Sequence, residues 1–96
     1  MVDLLNQAVR VRIYGGVQGV WFRGWTVREA SGRGLSGWVR NRADGSVEAV
    51  FAGPVADVQE MVAACRRGPP AARVDHIEQV VDITVVEPGF LQRPDC

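Results

Sequence analysis

Apolar and polar residues alternate over residues 8–14. Val9, Val11 and Ile13 fall on one side, and Arg10, Arg12 and Tyr14 on the other. A period of two marks a strand with one buried face. The period then changes. From Phe22 onward, Phe22, Thr26 and Ala30 return every fourth position with Trp25 beside them. That is one face of a helix over residues 22–33, and Gly34 supplies its stop. Residues 35–41 alternate again, with Leu35, Gly37, Val39 and Asn41 opposite Ser36, Trp38 and Arg40. Asp44-Gly45 is a turn signal, and residues 46–52 form the partner strand with Val47, Ala49 and Phe51 inward. Gly53-Pro54 opens a second helix, with Pro54 at its first position. Its buried stripe is Val55, Val58, Val62 and Cys65, flanked by Met61. Gly68, Pro69 and Pro70 end it. Residues 73–86, rich in valine and isoleucine, read as a fourth strand, either whole or bent near Asp82. Residues 90–93 read as a short closing strand.

The order β-α-β-β-α-β with a tail is the split βαβ, ferredoxin-like arrangement of the α+β class. It predicts an antiparallel sheet with two helices on one face. A length of 96 residues suits one domain over 1–96, with residues 1–7 and 94–96 as loose termini.

The glycines of residues 15–20 add chemistry to this frame. Gly15, Gly16, Val17, Gln18, Gly19 and Val20 join the first strand to the first helix. Glycine lets backbone N–H groups turn inward where a Cβ would forbid it, and concave rows of amides bind anions. The first turn of the helix adds free N–H groups and partial positive charge. Arg23 stands there, with a planar fork that fits phosphate oxygens in pairs. In the expected topology the first and second strands run the same way with the third between them. Their ends share one sheet edge, so Asn41 meets the loop and Arg23. Amides and Arg23 would bind a phosphoryl group, and Asn41, with donors and an acceptor, would hold a water in line with phosphorus. Such transfer needs mostly positioning and charge stabilisation, and a mixed carboxylic–phosphoric anhydride has a good enough leaving group to need no strong base.

Net charge narrows the partners. Eleven basic residues, all arginine, balance eleven acidic ones. Nucleic acid and anionic membranes usually recruit a basic excess, so neither is expected. The absence of lysine excludes a Schiff base. Cys65 and Cys96 have no disulfide spacing, and His76 alone makes no metal cluster; no cofactor or metal is expected. No run of 18 apolar residues occurs, and residues 1–7 do not form a signal peptide. A cytoplasmic monomer is the default expectation.

Two segments also carry a resemblance. Gly15-x-Val17-Gln18-Gly19-Val20-x-Phe22-Arg23 and Gly37-Trp38-Val39-Arg40-Asn41-x-x-Asp44-Gly45-x-Val47-Glu48 resemble the two signatures of the acylphosphatase family. Gly68-Pro69-Pro70 and Phe90-x-x-Arg93-Pro94 extend the similarity over nearly the whole chain. The resemblance implies hydrolysis of a small acyl phosphate to carboxylate and inorganic phosphate without metal or phosphoenzyme. It assigns phosphate binding to Arg23 and orientation of the attacking water to Asn41, as catalytic residues. Gly16 and Trp21 depart from the pattern: the family often has a larger side chain at the first and varied residues at the second. Other readings compete at each residue. Arg23 alone reads as a solvated helix arginine, Asn41 as a turn residue, Gln18 as a structural hydrogen-bonder and Thr26 as a packing residue. At the level of function, the alternative is a non-catalytic phosphate- or RNA-binding ferredoxin-like module, although the aromatic signature of an RNA-recognition motif is absent.

Overall fold

The computed structural model describes residues 6–82 and 86–96. The elements are β1 (Asn6–Gly16), α1 (Phe22–Gly32), β2 (Ser36–Asn41), β3 (Val47–Pro54), α2 (Val55–Arg67), β4 (Arg73–Val81) and β5 (Phe90–Gln92). They build one five-stranded sheet in the order β4-β1-β3-β2-β5. The fold is the ferredoxin-like α+β arrangement. Both helices pack on the face carrying Val9, Val11, Ile13, Val39, Val47, Ala49 and Phe51, where Phe22, Trp25, Ala30, Val58, Met61, Val62 and Cys65 complete the buried core.

The four strands of the β-α-β-β-α-β core form the expected antiparallel sheet, and the short closing strand makes the whole sheet mixed. β1, β3, β2 and β4 pair antiparallel, but β5 lies parallel to β2, with Gly37 opposite Phe90 and Val39 opposite Gln92. β4 occupies one edge of the sheet, so the remaining free edge is that of β2. The chain reaches it at the end where β2 begins, which dictates the parallel direction. Phe90 holds the strand by stacking on Phe51, with ring centroids 5.5 Å apart.

Other boundaries shift for local reasons. Pro54 caps α2 from outside with ψ 138, and Val55 is the first helical residue and exposed; Met61 takes the core place expected of Val55. Asn6 and Gln7 pair with Pro54 and Gly53, so β1 starts earlier than its alternating pattern. Residues 94–96 are not loose. The Cys96 N–H donates to the Asn41 carbonyl at 3.0 Å, and the Arg93 N–H to that of Val39 at 2.8 Å, extending the run along β2. β4 ends at Val81, and the part of the fourth strand expected over 83–85 lies outside the described residues.

Register explains why two distant segments meet. Ile13, Val47 and Asn41 form one row across β1, β3 and β2. Ile13 lies near the end of β1, just before the loop, and Asn41 ends β2. Alternation puts Asn41 on the helix face with Val39, at the same edge as the start of α1.

Candidate active site

At that edge lies a hollow of about 150 Å³ lined by Val17, Gly19, Trp21, Phe22, Arg23, Gly24, Asn41 and Gln92. Arg23 and Asn41 therefore share one small cavity. Among the described residues, no N–H from Gly19 to Gly24 donates to a backbone carbonyl. These are the free donors that a helix start leaves for an anion, and α1 has no acidic residue in its first turn to compete for them.

The loop is anchored at both ends by burial. Val17 is fully buried, and Val20 packs against the core. Gly19 holds φ 76, a backbone state that side chains rarely adopt. Phe22 is buried and meets Trp25 edge-on at 5.3 Å, fixing the first turn of α1 to the core. The buried Thr26 hydroxyl donates to the Phe22 carbonyl at 2.8 Å, so Thr26 packs and steadies the turn that carries Arg23.

Gln18 faces away from the hollow. Its Nε2 donates to the carbonyls of Arg42 at 2.8 Å and Ser46 at 2.9 Å. It fastens the loop to the β2–β3 hairpin and so to Asn41. Gly15 and Gly16 belong to β1, paired with Val74 and Arg73 beyond a register shift after Tyr14. A Cβ on Gly15 would lie 2.2 Å from the Arg73 carbonyl oxygen, at φ 133. Close approach of β4 is the visible requirement for glycine at 15. Of the six loop residues expected to hold phosphate, Val17 and Gly19 line the hollow, while Gly15, Gly16, Gln18 and Val20 support it from the sheet, the hairpin and the core.

Asn41 is buried, and among the described residues its side-chain amide has no hydrogen-bond partner. Arg23 is engaged: its Nη1 donates to Asp95 Oδ1 at 2.8 Å. Sequence reasoning missed Asp95 and Gln92. Asp95 lies 72 residues away in a segment with no periodic signal, and only the parallel placement of β5 brings it to Arg23.

Trp21 is the least expected feature. It is 57 % exposed, and among the described residues it alone of the non-glycine residues has positive φ, at 66. A left-handed backbone costs an L-residue about 1–2 kcal/mol.

The arrangement defines a class: a ferredoxin-like α+β protein with a small hollow, lined by Arg23 and Asn41, at the start of its first helix. The family model described as Acylphosphatase matches residues 9–90. An acylphosphatase of Rhodospirillum rubrum is 61 % identical over 84 residues, covering 88 % of this chain and 92 % of that protein. The solved acylphosphatase of Coxiella burnetii superposes with a TM-score of 0.88 at 30 % identity, over 92 % of this chain and 93 % of the other. That of Bacillus subtilis gives 0.82 at 35 % identity, over 88 % and 94 %. The chain belongs to the acylphosphatase family and is an enzyme of that class.

Proposed function

We propose that this enzyme hydrolyses small acyl phosphates by direct attack of water on a phosphoryl group held in the hollow. The observation that carries this reading is the shared cavity: Arg23, Asn41 and residues Gly19 and Trp21 to Gly24, whose N–H groups are free of backbone partners, line a space sized for one anion. The phosphoryl oxygens replace Asp95 on the Arg23 guanidinium and accept from the loop amides. Asn41 accepts a hydrogen bond from the attacking water and aims its oxygen at phosphorus. The new P–O bond forms as the P–O bond to the acyl group breaks. The carboxylate leaves with that bond's electron pair, and the water proton passes to solvent or to the product phosphate. Preorganised donors stabilise charge as it shifts, without rearrangement during the step. The lining residues supply donors for an anion, and the reaction as proposed uses no metal.

The test is hydrolysis of benzoyl phosphate with and without a chelator. Activity should be indifferent to the chelator. Arg23→Lys keeps the charge but loses the fork, so inhibition by inorganic phosphate should weaken along with turnover. Asn41→Ala should lose about 100-fold or more in kcat, the scale of a transition-state contact, while phosphate still inhibits. Wild-type rates in both variants would overturn the assigned roles, and loss of activity with chelator would overturn the metal-free step.

A further inference from the structure

We propose that Trp21 receives the acyl part of the substrate, so that the enzyme favours acyl phosphates bearing a flat apolar group over those bearing a small one. This rests on the reading of the hollow as the phosphoryl site. The indole belongs to the lining of that hollow, beside Arg23 and Asn41, and more than half of the residue is open to solvent. It is not part of the core. Its backbone holds φ 66 and ψ 24 at the N-cap of α1, a conformation that glycine would adopt without strain. The core therefore gains nothing from an aromatic residue here, and strain retained at an exposed position beside a cavity points to function.

The ring is also held in place. It lies against Gly24 so closely that a Cβ there would fall 2.1 Å from its Nε1 and 2.6 Å from its Cε2. The Arg28 guanidinium sits 5.1 Å from the ring centroid, a cation–π distance. Gly24 makes room for the indole and Arg28 props it, leaving a rigid apolar surface at the mouth of the hollow. With about 150 Å³ within, the hollow accommodates the phosphoryl group, and the acyl group must extend over its rim. Among the lining residues Trp21 presents exposed apolar area, whereas Gln92 is polar. An aromatic acyl group can stack on the indole; an acetyl group covers little of it.

The experiment compares kcat/KM for benzoyl phosphate and acetyl phosphate in the full chain, in Trp21→Gly and in Gly24→Ala, with competitive inhibition by inorganic phosphate as a third readout. Trp21→Gly keeps the backbone N–H and relaxes the left-handed residue, so its thermal unfolding temperature should hold or rise. Its benzoyl-to-acetyl ratio of kcat/KM should fall about tenfold, the scale of one aromatic contact, carried mainly by KM. Gly24→Ala should lower the ratio in the same direction by displacing the ring without removing it. Inhibition by phosphate should move far less than the ratio. An unchanged ratio in Trp21→Gly, in an enzyme that hydrolyses both substrates, overturns the proposal alone. A wild-type chain inert toward both acyl phosphates overturns the phosphoryl-site reading and this proposal with it.

Discussion

Arg23 already grips a carboxylate before any substrate arrives. Its pair with Asp95, 2.8 Å long and partly open to water, resembles the contact it is proposed to make with phosphate. Asp95 thus competes with the anion while holding the guanidinium in a binding pose. Exposed ion pairs of this kind contribute little, so Asp95→Asn should tighten inhibition by inorganic phosphate by no more than about fivefold, and less as salt is raised. Weaker inhibition in that variant would show that holding outweighs competing. The meeting of Arg23 and Asn41 at one hollow was legible because each follows a local pattern, one the glycine loop and the other an alternating strand. Asp95 was not, because no nearby residue predicts a partner met only through the tertiary fold. The thiols offer a second check. Burial pushes the Cys65 thiol up to about 12, against a smaller pull downward from Arg33, whereas Cys96 is exposed. A disulfide reagent at pH 8 should modify Cys96 quickly and reach Cys65 only on unfolding; equal rates in the native enzyme would contradict the burial.

At the scale of elements, β3 carries the least expected residue of the sheet. Glu48 is almost wholly buried on the face away from the helices. Arg40 and Arg42 donate to its Oε1 at 2.8 and 2.9 Å, and Arg10 and Arg12 approach its Oε2 at 3.8 Å. Burial alone would push this carboxyl up, but the hydrogen bonds and charges of Arg40 and Arg42 outweigh it and hold it below its ordinary 4.5. A carboxyl lowered by folding stabilises fully above its unfolded pKa, and that contribution is lost as pH falls through the lower folded value. Glu48→Gln should therefore cost about 3 kcal/mol at neutral pH, the scale of breaking a buried ionic cluster. It should also flatten the loss of stability as pH falls below the ordinary 4.5 of this carboxyl. Urea titrations at pH 7 and 3.5 measure both, and a variant as stable as wild type at pH 7 would contradict the cluster's role. The strand alternation placed Arg10, Arg12 and Arg40 on one face, and register supplied the rest: Arg12, Glu48 and Arg40 share a row. β5 was less legible. Three residues hold no period, and their direction depends on which sheet edge remains free.

Across the whole molecule, the two sheet faces divide the work. The helix face gathers the apolar core, and the other face holds an ionic cluster of Arg10, Arg12, Arg40 and Arg42 around Glu48. The core was readable from two simple periods, because burial acts on every second or fourth residue. The hollow proposed to hold the anion lies where the core reaches its edge, so filling it should stabilise the entire fold. Inorganic phosphate at ten times its dissociation constant adds about 1.4 kcal/mol, which for a protein of this size raises Tm by about 6–11 °C. Calorimetry should show that rise in the wild type and a smaller one in Arg23→Lys at the same phosphate concentration; equal rises would place the anion elsewhere. Gln18 gives this edge its mechanical character. Because one side-chain amide is bonded to two carbonyls of the neighbouring hairpin, the loop that leads to Arg23 is tied to the strand end that carries Asn41. The two walls of the hollow are thus joined by a single brace, and cutting it would leave each to find its own position.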